Sequence, residues 1–129
     1  MGQRYLIDTN VVIGILNKTI KHQNALKLSK IINKDFIVST VVNIETLGFN
    51  AITSDDKIKI ESLLSKVTTI YIDKRIQEKA IEIRQNKKMK LGDSIIAATA
   101  LVHNLTVVTR NETDFWGLGL AIYNPFEDK

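Results

Sequence analysis

The sequence predicts an α/β fold, in which a mainly parallel central sheet is flanked by helices, in a single domain over residues 1–129. Three observations support this prediction. Short apolar runs alternate with longer segments of helical periodicity, the pattern of strands joined by crossover helices. A chain of 129 residues is long enough for one domain with a substantial core. Its 44% hydrophobic and 25% charged residues are the fractions of a folded globular protein.

The first half of the chain contains two predicted strands and four predicted helices. The strands are apolar runs that end at polar residues, and the helices carry apolar residues three or four positions apart. In chain order these elements are a strand over Arg4–Ile7, a helix through 11–16, a helix over Lys21–Asn33, a strand over Phe36–Val38, a helix through Asn43–Ala51 and a helix capped by Asp55.

The second half contains three predicted strands and two predicted helices. In order they are a β-branched strand over Val67–Ile72, a helix capped by Asp73, an apolar helix over Ile95–His103 after a break at Gly92-Asp93, a strand over Thr106–Thr109, a polar loop over Arg110–Gly119 and an edge strand over Leu120–Tyr123. Helices of this length between strands imply right-handed crossovers and a mainly parallel sheet.

Composition excludes several classes of protein. The chain has no cysteine, so a disulfide framework, a zinc–thiolate site and a thiol nucleophile are ruled out. Any metal must be held by carboxylates, amides, hydroxyls or the two histidines. No apolar run approaches the ~20 residues of a membrane span, and the opening MGQRYLIDTN becomes acidic too early for a signal peptide. A cytoplasmic location is therefore expected.

The positive charge is concentrated in one segment. The chain carries a net charge of +4, and residues 74–90 hold seven basic and two acidic side chains, so the rest of the chain is slightly acidic. A local excess of this kind is expected on a surface that meets a polyanion. A solvated helix face with intrahelical ion pairs would give the same composition, and both interpretations remain open.

Four carboxylates are candidates for a site at the carboxyl edge of the sheet, where open parallel sheets bind ligands: Asp8, Glu45, Asp93 and Asp114. Asp8 follows the first strand and Asp114 lies in the loop after the fourth, whereas the sequence leaves open which edge Asp93 faces. Asp8 and Asp93 could instead serve as helix caps. Glu45 lies among apolar residues, where an unpaired carboxylate would be costly.

A cluster of these carboxylates would have definite chemistry. Two carboxylates about 5 Å apart repel by roughly 3 kcal/mol at an effective dielectric of about 20. Such a group would take up protons or hold a cation, and oxygen ligands favour Mg²⁺ or Mn²⁺ over zinc. Hard divalent ions beside a basic surface indicate phosphodiester chemistry.

Four segments follow one another in an informative order: YLIDTNVVI, VSTVVNIETLGF, LGDSIIAATAL and VVTRNETDF. Together they resemble motifs of the PIN domain family, and specifically of the VapC toxin ribonucleases of VapBC toxin–antitoxin systems. YLIDTNVVI resembles the family's strand followed by D-T-N, and VSTVVNIETLGF its serine-containing strand end that leads to a glutamate. LGDSIIAATAL resembles its aspartate followed by I-x-A-x-A, and VVTRNETDF its T-x-N-x-x-D-F. Val42 and Thr46 depart from the threonine and leucine that the family often has there.

The resemblance implies a PIN-like domain whose acidic quartet binds Mg²⁺ or Mn²⁺, the quartet being Asp8, Glu45, Asp93 and Asp114. It implies that Asn10 and Asn111 orient carboxylates or water. The implied activity is endonucleolytic hydrolysis of RNA that leaves a 5′-phosphate and a 3′-hydroxyl. The implied partners are a second copy of the chain, in a homodimer, and a cognate antitoxin that inserts a segment into the acidic groove.

Two further pairs of residues are assigned no catalytic role. His22 and His103 are not expected to act as ribonuclease acid and base. Phe115-Trp116 is expected to be a loop anchor on the core rather than a base-stacking platform.

Three alternatives compete with the nuclease interpretation. A PIN-like module could bind RNA or protein without cleaving it, although such a module would be expected to lack one or more of the four acidic residues. A receiver domain needs an acidic pair after its first strand, where this chain has only Asp8. A haloacid-dehalogenase-type phosphatase needs Asp-x-Asp there, and position 10 is Asn10.

Overall fold

A computed structural model describes residues 3–126 and places five parallel strands in one sheet, in the order β3-β2-β1-β4-β5. The strands are β1 (Tyr5–Ile7), β2 (Ile37–Ser39), β3 (Thr68–Ile70), β4 (Thr106–Val108) and β5 (Ile122–Tyr123). Strand β1 is central, and Ile7 is in register with Val108 of β4. The α/β class and the parallel sheet are confirmed.

Six α-helices and one 3₁₀ helix connect the strands within the described residues. They are α1 (Thr9–Asn17), α2 (His22–Lys34), α3 (Thr40–Leu47), α4 (Ser54–Leu64), α5 (Lys74–Asn86), α6 (Leu91–His103) and the 3₁₀ helix Glu112–Phe115. Among residues 3–126, no helix is long and apolar enough to cross a lipid bilayer.

The core has two layers, one on each face of the sheet. Successive strand residues point to opposite faces, so Leu6 packs with Ile76 and Ile96 of α5 and α6, while Ile7 packs with Val12 and Leu28 of α1 and α2. Because both faces are covered, the central strands are mostly apolar, and their polar residues Ser39 and Thr106 stand at strand ends. The polar side chains of a site are therefore expected beyond the carboxyl ends of the strands.

Several predicted boundaries are wrong. The helix after β2 begins at Thr40 rather than Asn43, because the Ser39 hydroxyl caps it by accepting from the N–H of Val41 at 3.2 Å. The N-cap of α4 is Thr53 rather than Asp55. The predicted loop over 110–119 contains the 3₁₀ helix. In contrast, Asp73 caps α5 as predicted, accepting from the N–H of Ile76 at 2.9 Å.

The strand order creates a crevice between β1 and β4. The chain builds β1, β2 and β3 in one direction across the sheet, then returns to add β4 and β5 on the other side of β1. The connections that leave the carboxyl ends of β1 and β4 diverge, as at the ligand-binding switch points of open α/β sheets. The segments that follow Ile7 and Val108 meet there.

Candidate active site

The carboxylate of Asp8 lies in this crevice and is 4% exposed. Its backbone N–H donates to the carbonyl of Val108 at 2.9 Å, continuing the β1–β4 ladder by one residue. Its Oδ1 accepts from the N–H of Thr9 at 2.7 Å, so Asp8 is also the N-cap of α1. Burial raises the pKa of this carboxyl above its usual range, and the hydrogen bonds that it accepts oppose the shift in part.

Side chains from two segments hold the other oxygen of Asp8, Oδ2. The hydroxyl of Thr109 donates to it at 2.8 Å, and the amide of Asn10 donates at 3.3 Å. Asn10 Oδ1 accepts from the N–H of Arg110 at 3.0 Å, and Thr109 Oγ1 accepts from the N–H of Asn111 at 3.1 Å. The turns after β1 and β4 are thereby tied together, and the orientation of the Asp8 carboxylate is fixed.

Glu45 reaches the same edge from the second turn of α3. Its Oε1 accepts from the hydroxyl of Thr9 at 2.6 Å, which links α3 to the start of α1. Glu45 is exposed, and so is its neighbour Ile44. The expectation of an apolar environment for Glu45 is therefore wrong, because its side chain is exposed and its carboxylate is hydrogen-bonded to Thr9.

Asp93 lies in the first turn of α6, which begins at the carboxyl edge. The expected break at Gly92-Asp93 is wrong, since the helix already includes both residues and its cap position is Lys90. A Cβ at Gly92 would lie 3.2 Å from Cγ1 of Val41 and 3.4 Å from Oε2 of Glu45. Glycine at this position lets α6 start directly against α3, which brings Asp93 beside Glu45.

The pKa of Asp93 is raised to about 6. Burial is the largest cause, and repulsion from Asp8 and Asp114 adds to it. Lys90 acts in the opposite direction, and Glu45 raises the pKa slightly further. Asp93 is thus within electrostatic reach of each of the other three predicted carboxylates.

The 3₁₀ helix after β4 carries Asp114 on its exposed side. The N–H of Asp114 donates to the carbonyl of Asn111 at 3.1 Å. The next residue, Phe115, is 1% exposed and anchors this helix in the core, as predicted. Trp116 is 58% exposed, so the anchor prediction is wrong for the tryptophan.

The chemistry of this donor set suits a hard divalent cation, because all four groups are carboxylates whose mutual repulsion a cation would relieve. As they stand, no three acidic or histidine side chains within residues 3–126 converge on one point. Glu45 and Asp114 are exposed, whereas Asp8 is buried. The site combines buried and exposed carboxylates and is not a closed cage.

Two residues of the site were missed by sequence reasoning, Thr9 and Thr109. Thr109 follows β4 directly, so the rule that selected Asp8, a polar residue at a strand's carboxyl end, could have selected it. Thr9 belongs to the D-T-N motif but had been assigned no role.

The two histidines lie outside the site. His103 lines a pocket with Arg4 at the opposite edge of the sheet, and His22 is the first residue of α2.

The basic stretch has two parts with different environments. On α5, Lys79 forms an ion pair with Glu82 at 3.0 Å, as the solvated-face interpretation predicts. Beyond α5, Lys88 and Lys90 line a pocket of about 480 Å³ that also contacts Asp93. The segment 87–90 therefore lies beside the acidic residues, as the polyanion interpretation requires.

Asp93→Asn is expected to stabilise the metal-free protein at neutral pH. Since the pKa of Asp93 is raised in the folded state, the folded chain binds a proton at Asp93 more tightly than the unfolded chain does. The contribution of Asp93 to the free energy of unfolding therefore falls as the pH rises from about 4 through 6. Asp93 is only partly buried and solvent screens the repulsion, so we expect a gain of about 1 kcal/mol at pH near 7.5 and none near pH 4. Urea unfolding in EDTA at both pH values measures it. A gain at Asp93→Asn that persists near pH 4, or equals that of the exposed Asp55→Asn, would contradict the electrostatic origin.

Comparisons with known proteins agree with this architecture. The PIN domain family model matches residues 5–115. Toxin FitB of Neisseria gonorrhoeae is 27% identical over an alignment length of 137 residues. The alignment covers 95% of this chain and 99% of that protein. A toxin–antitoxin complex from Klebsiella pneumoniae contains a chain with a TM-score of 0.76 and 28% identity, covering 96% of this chain and 99% of that one. DNA-bound VapBC from Salmonella typhimurium shares the fold, with a TM-score of 0.80 and 17% identity. That match covers 96% of this chain and 99% of the other chain.

Proposed function

The chain belongs to the PIN domain family, and from this premise we propose that it is a metal-dependent endoribonuclease and the toxin of a toxin–antitoxin pair. The observation that carries the proposal is the pair Asp8 and Asp93. Both carboxyl groups have pKa values raised by burial, and Asp8 repels Asp93 at the switch point of the sheet. Raised carboxyl pKa values in a crevice are characteristic of functional sites.

The proposed cofactor is Mg²⁺ or Mn²⁺, held by the quartet Asp8, Glu45, Asp93 and Asp114. When bound, such a cation supplies Lewis-acid activation of water and neutralises charge on the phosphate. Asp93 must lose its proton before it can act as a ligand. Because the pKa of Asp93 is about 6, cation affinity and activity should both decrease as the pH falls below that value.

The side chains around the quartet position it. Thr109 and Asn10 fix the Asp8 carboxylate in one orientation, and the Thr9 hydroxyl holds Glu45 toward the same edge. Fixed donors of this kind keep ligand oxygens in place before the substrate arrives. The proposed products, a 5′-phosphate and a 3′-hydroxyl, require that water attacks the phosphorus and that the P–O3′ bond breaks, with the departing 3′ oxygen taking up a proton.

The proposed partners are a cognate antitoxin and a second copy of the chain. FitB is named a toxin, and the Klebsiella pneumoniae structure is of a toxin–antitoxin complex. Apolar surface on and after α3 supports a protein partner, since Ile44, Phe49 and Ile58 are all exposed. We propose that the antitoxin and the homodimer contact together cover this surface.

Purified protein incubated with mixed RNA tests the activity. We expect cleavage with Mg²⁺ or Mn²⁺ and none with EDTA, and end-labelling should detect 5′-phosphates on the products. Cleavage that EDTA does not affect would contradict a metal-dependent mechanism. RNA binding without cleavage under either metal would instead favour the non-catalytic PIN-like module.

A further inference from the structure

We propose that Trp116 and the connection between α5 and α6, residues 87–90, form a binding site for single-stranded RNA. One base stacks on the indole, and the neighbouring phosphates contact the lysines. This inference rests on the proposed function and deepens it, because it names residues that hold the strand beside the acidic site.

The indole of Trp116 is presented to solvent on a fixed backbone. The residue is 58% exposed, although its neighbour Phe115 is buried. The N–H of Trp116 donates to the carbonyl of Thr113 at 3.3 Å, and its own carbonyl accepts from the Lys87 ammonium. The tryptophan is therefore attached at one end to the helix that carries Asp114 and at the other to the basic connection.

A basic groove adjoins the tryptophan. One pocket of about 480 Å³ is bounded by the lysines of segment 87–90 and by Asp93, Thr113 and Asp114. A second pocket of about 460 Å³ is lined by Arg84 and residues 85–89. Since the two pockets share residues 87–89, the groove continues from the acidic site toward the end of α5.

The chemistry of this groove fits a nucleic-acid strand. Proteins that bind single strands combine a positive groove, which follows the phosphates, with aromatic side chains on which bases stack. Lysines supply the charge here, the exposed indole supplies the platform, and the acidic residues lie at one end. A phosphate beside Asp93 and Asp114 would have its neighbours along the lysines and an adjacent base at Trp116.

Fluorescence provides a direct test, because Trp116 is the only tryptophan of the chain. The Asp8→Asn protein is titrated with a short single-stranded RNA of mixed sequence, and separately with inorganic polyphosphate, which has charge but no bases. We expect RNA to quench the emission and polyphosphate to compete with RNA while leaving the emission nearly unchanged. RNA binding, measured by filter retention, without any change in emission would overturn the proposal.

Substitutions at Trp116 give a second readout. Loss of one stacked base corresponds to roughly 5- to 150-fold weaker binding, which we expect for Trp116→Ala, whereas Trp116→Phe should keep most of the affinity. Tyr71→Ala is the matched control, an exposed aromatic residue after β3 whose removal should leave affinity unchanged. Equal affinity of Trp116→Ala and the parent protein would refute the site, even if RNA is cleaved. Tryptophan-dependent binding, together with no cleavage by the protein that retains Asp8, would keep the site and refute the nuclease.

Discussion

Asp8→Asn is expected to reduce RNA cleavage by more than about a hundredfold. Substituting a residue that merely supports a metal ligand lowers metal affinity or activity by about 10- to 100-fold. Loss of a ligand itself should therefore have a larger effect. The amide keeps the shape of the carboxylate but removes its charge, and it is a weak ligand for hard cations. Cleavage rates with Mn²⁺, compared with those of the exposed Asp55→Asn variant, measure the effect.

The same substitution should leave the fold intact. The amide oxygen can still accept from the N–H of Thr9, and the Thr109 hydroxyl, which now donates to Asp8, can rotate to accept from the new NH₂ group. Removing a buried charge offsets the weaker bonds, so we expect the free energy of unfolding to change by no more than about 1 kcal/mol. An unfolded variant would mean that Asp8 is primarily a structural cap, and an active variant would remove it from the site.

Phe115→Ala is expected to lower the free energy of unfolding by about 3–5 kcal/mol, because it removes a fully buried ring from the core layer beneath α6. It should also reduce cleavage in the molecules that remain folded, since the 3₁₀ helix that carries Asp114 loses its anchor. Urea unfolding gives the first quantity, and single-turnover cleavage under folded conditions gives the second.

The adjacent Trp116→Ala is the matched control for stability and should change it by less than about 0.5 kcal/mol. Phe115→Leu, which fills most of the space, should fall between the two. A cost at Trp116 equal to that at Phe115 would contradict the assignment of one aromatic residue to the core and the other to the surface.

The alternation of apolar runs was sufficient to predict the strands, because buried parallel strands such as β1 and β4 are apolar on both faces. Helix starts were predicted within one residue at α2 and at α5, where Asp73 is the cap. At α4 the acidic residue Asp55 was taken as the cap, although the cap is Thr53. At α3 the β-branched pair Val41-Val42 is untypical of a helix start, so the start was placed at Asn43 and Ser39 was taken only as the boundary of the predicted strand Phe36–Val38.

The residues of the site were predicted more completely than the way in which they are arranged. Asp8 was found because it follows a strand, but the position of Asp93 depends on how closely α6 approaches α3, which Gly92 determines. The Thr109 bond to Asp8 joins residues 101 positions apart. Only the strand order places them together, and a single sequence carries little information about strand order.

The pairing of β1 with β4 also affects when the site forms during synthesis. Strand β1 is made first, but the neighbour that completes the Asp8 environment comes about 100 residues later. The loop between β1 and β4 can close only after the residues of β4 have been synthesised. Domains generally fold as units once their sequence is available. A nascent chain that stops before Thr109 therefore lacks both the hydroxyl that orients Asp8 and the helix that carries Asp114. The proposed nuclease would therefore stay inactive until synthesis has passed Asp114.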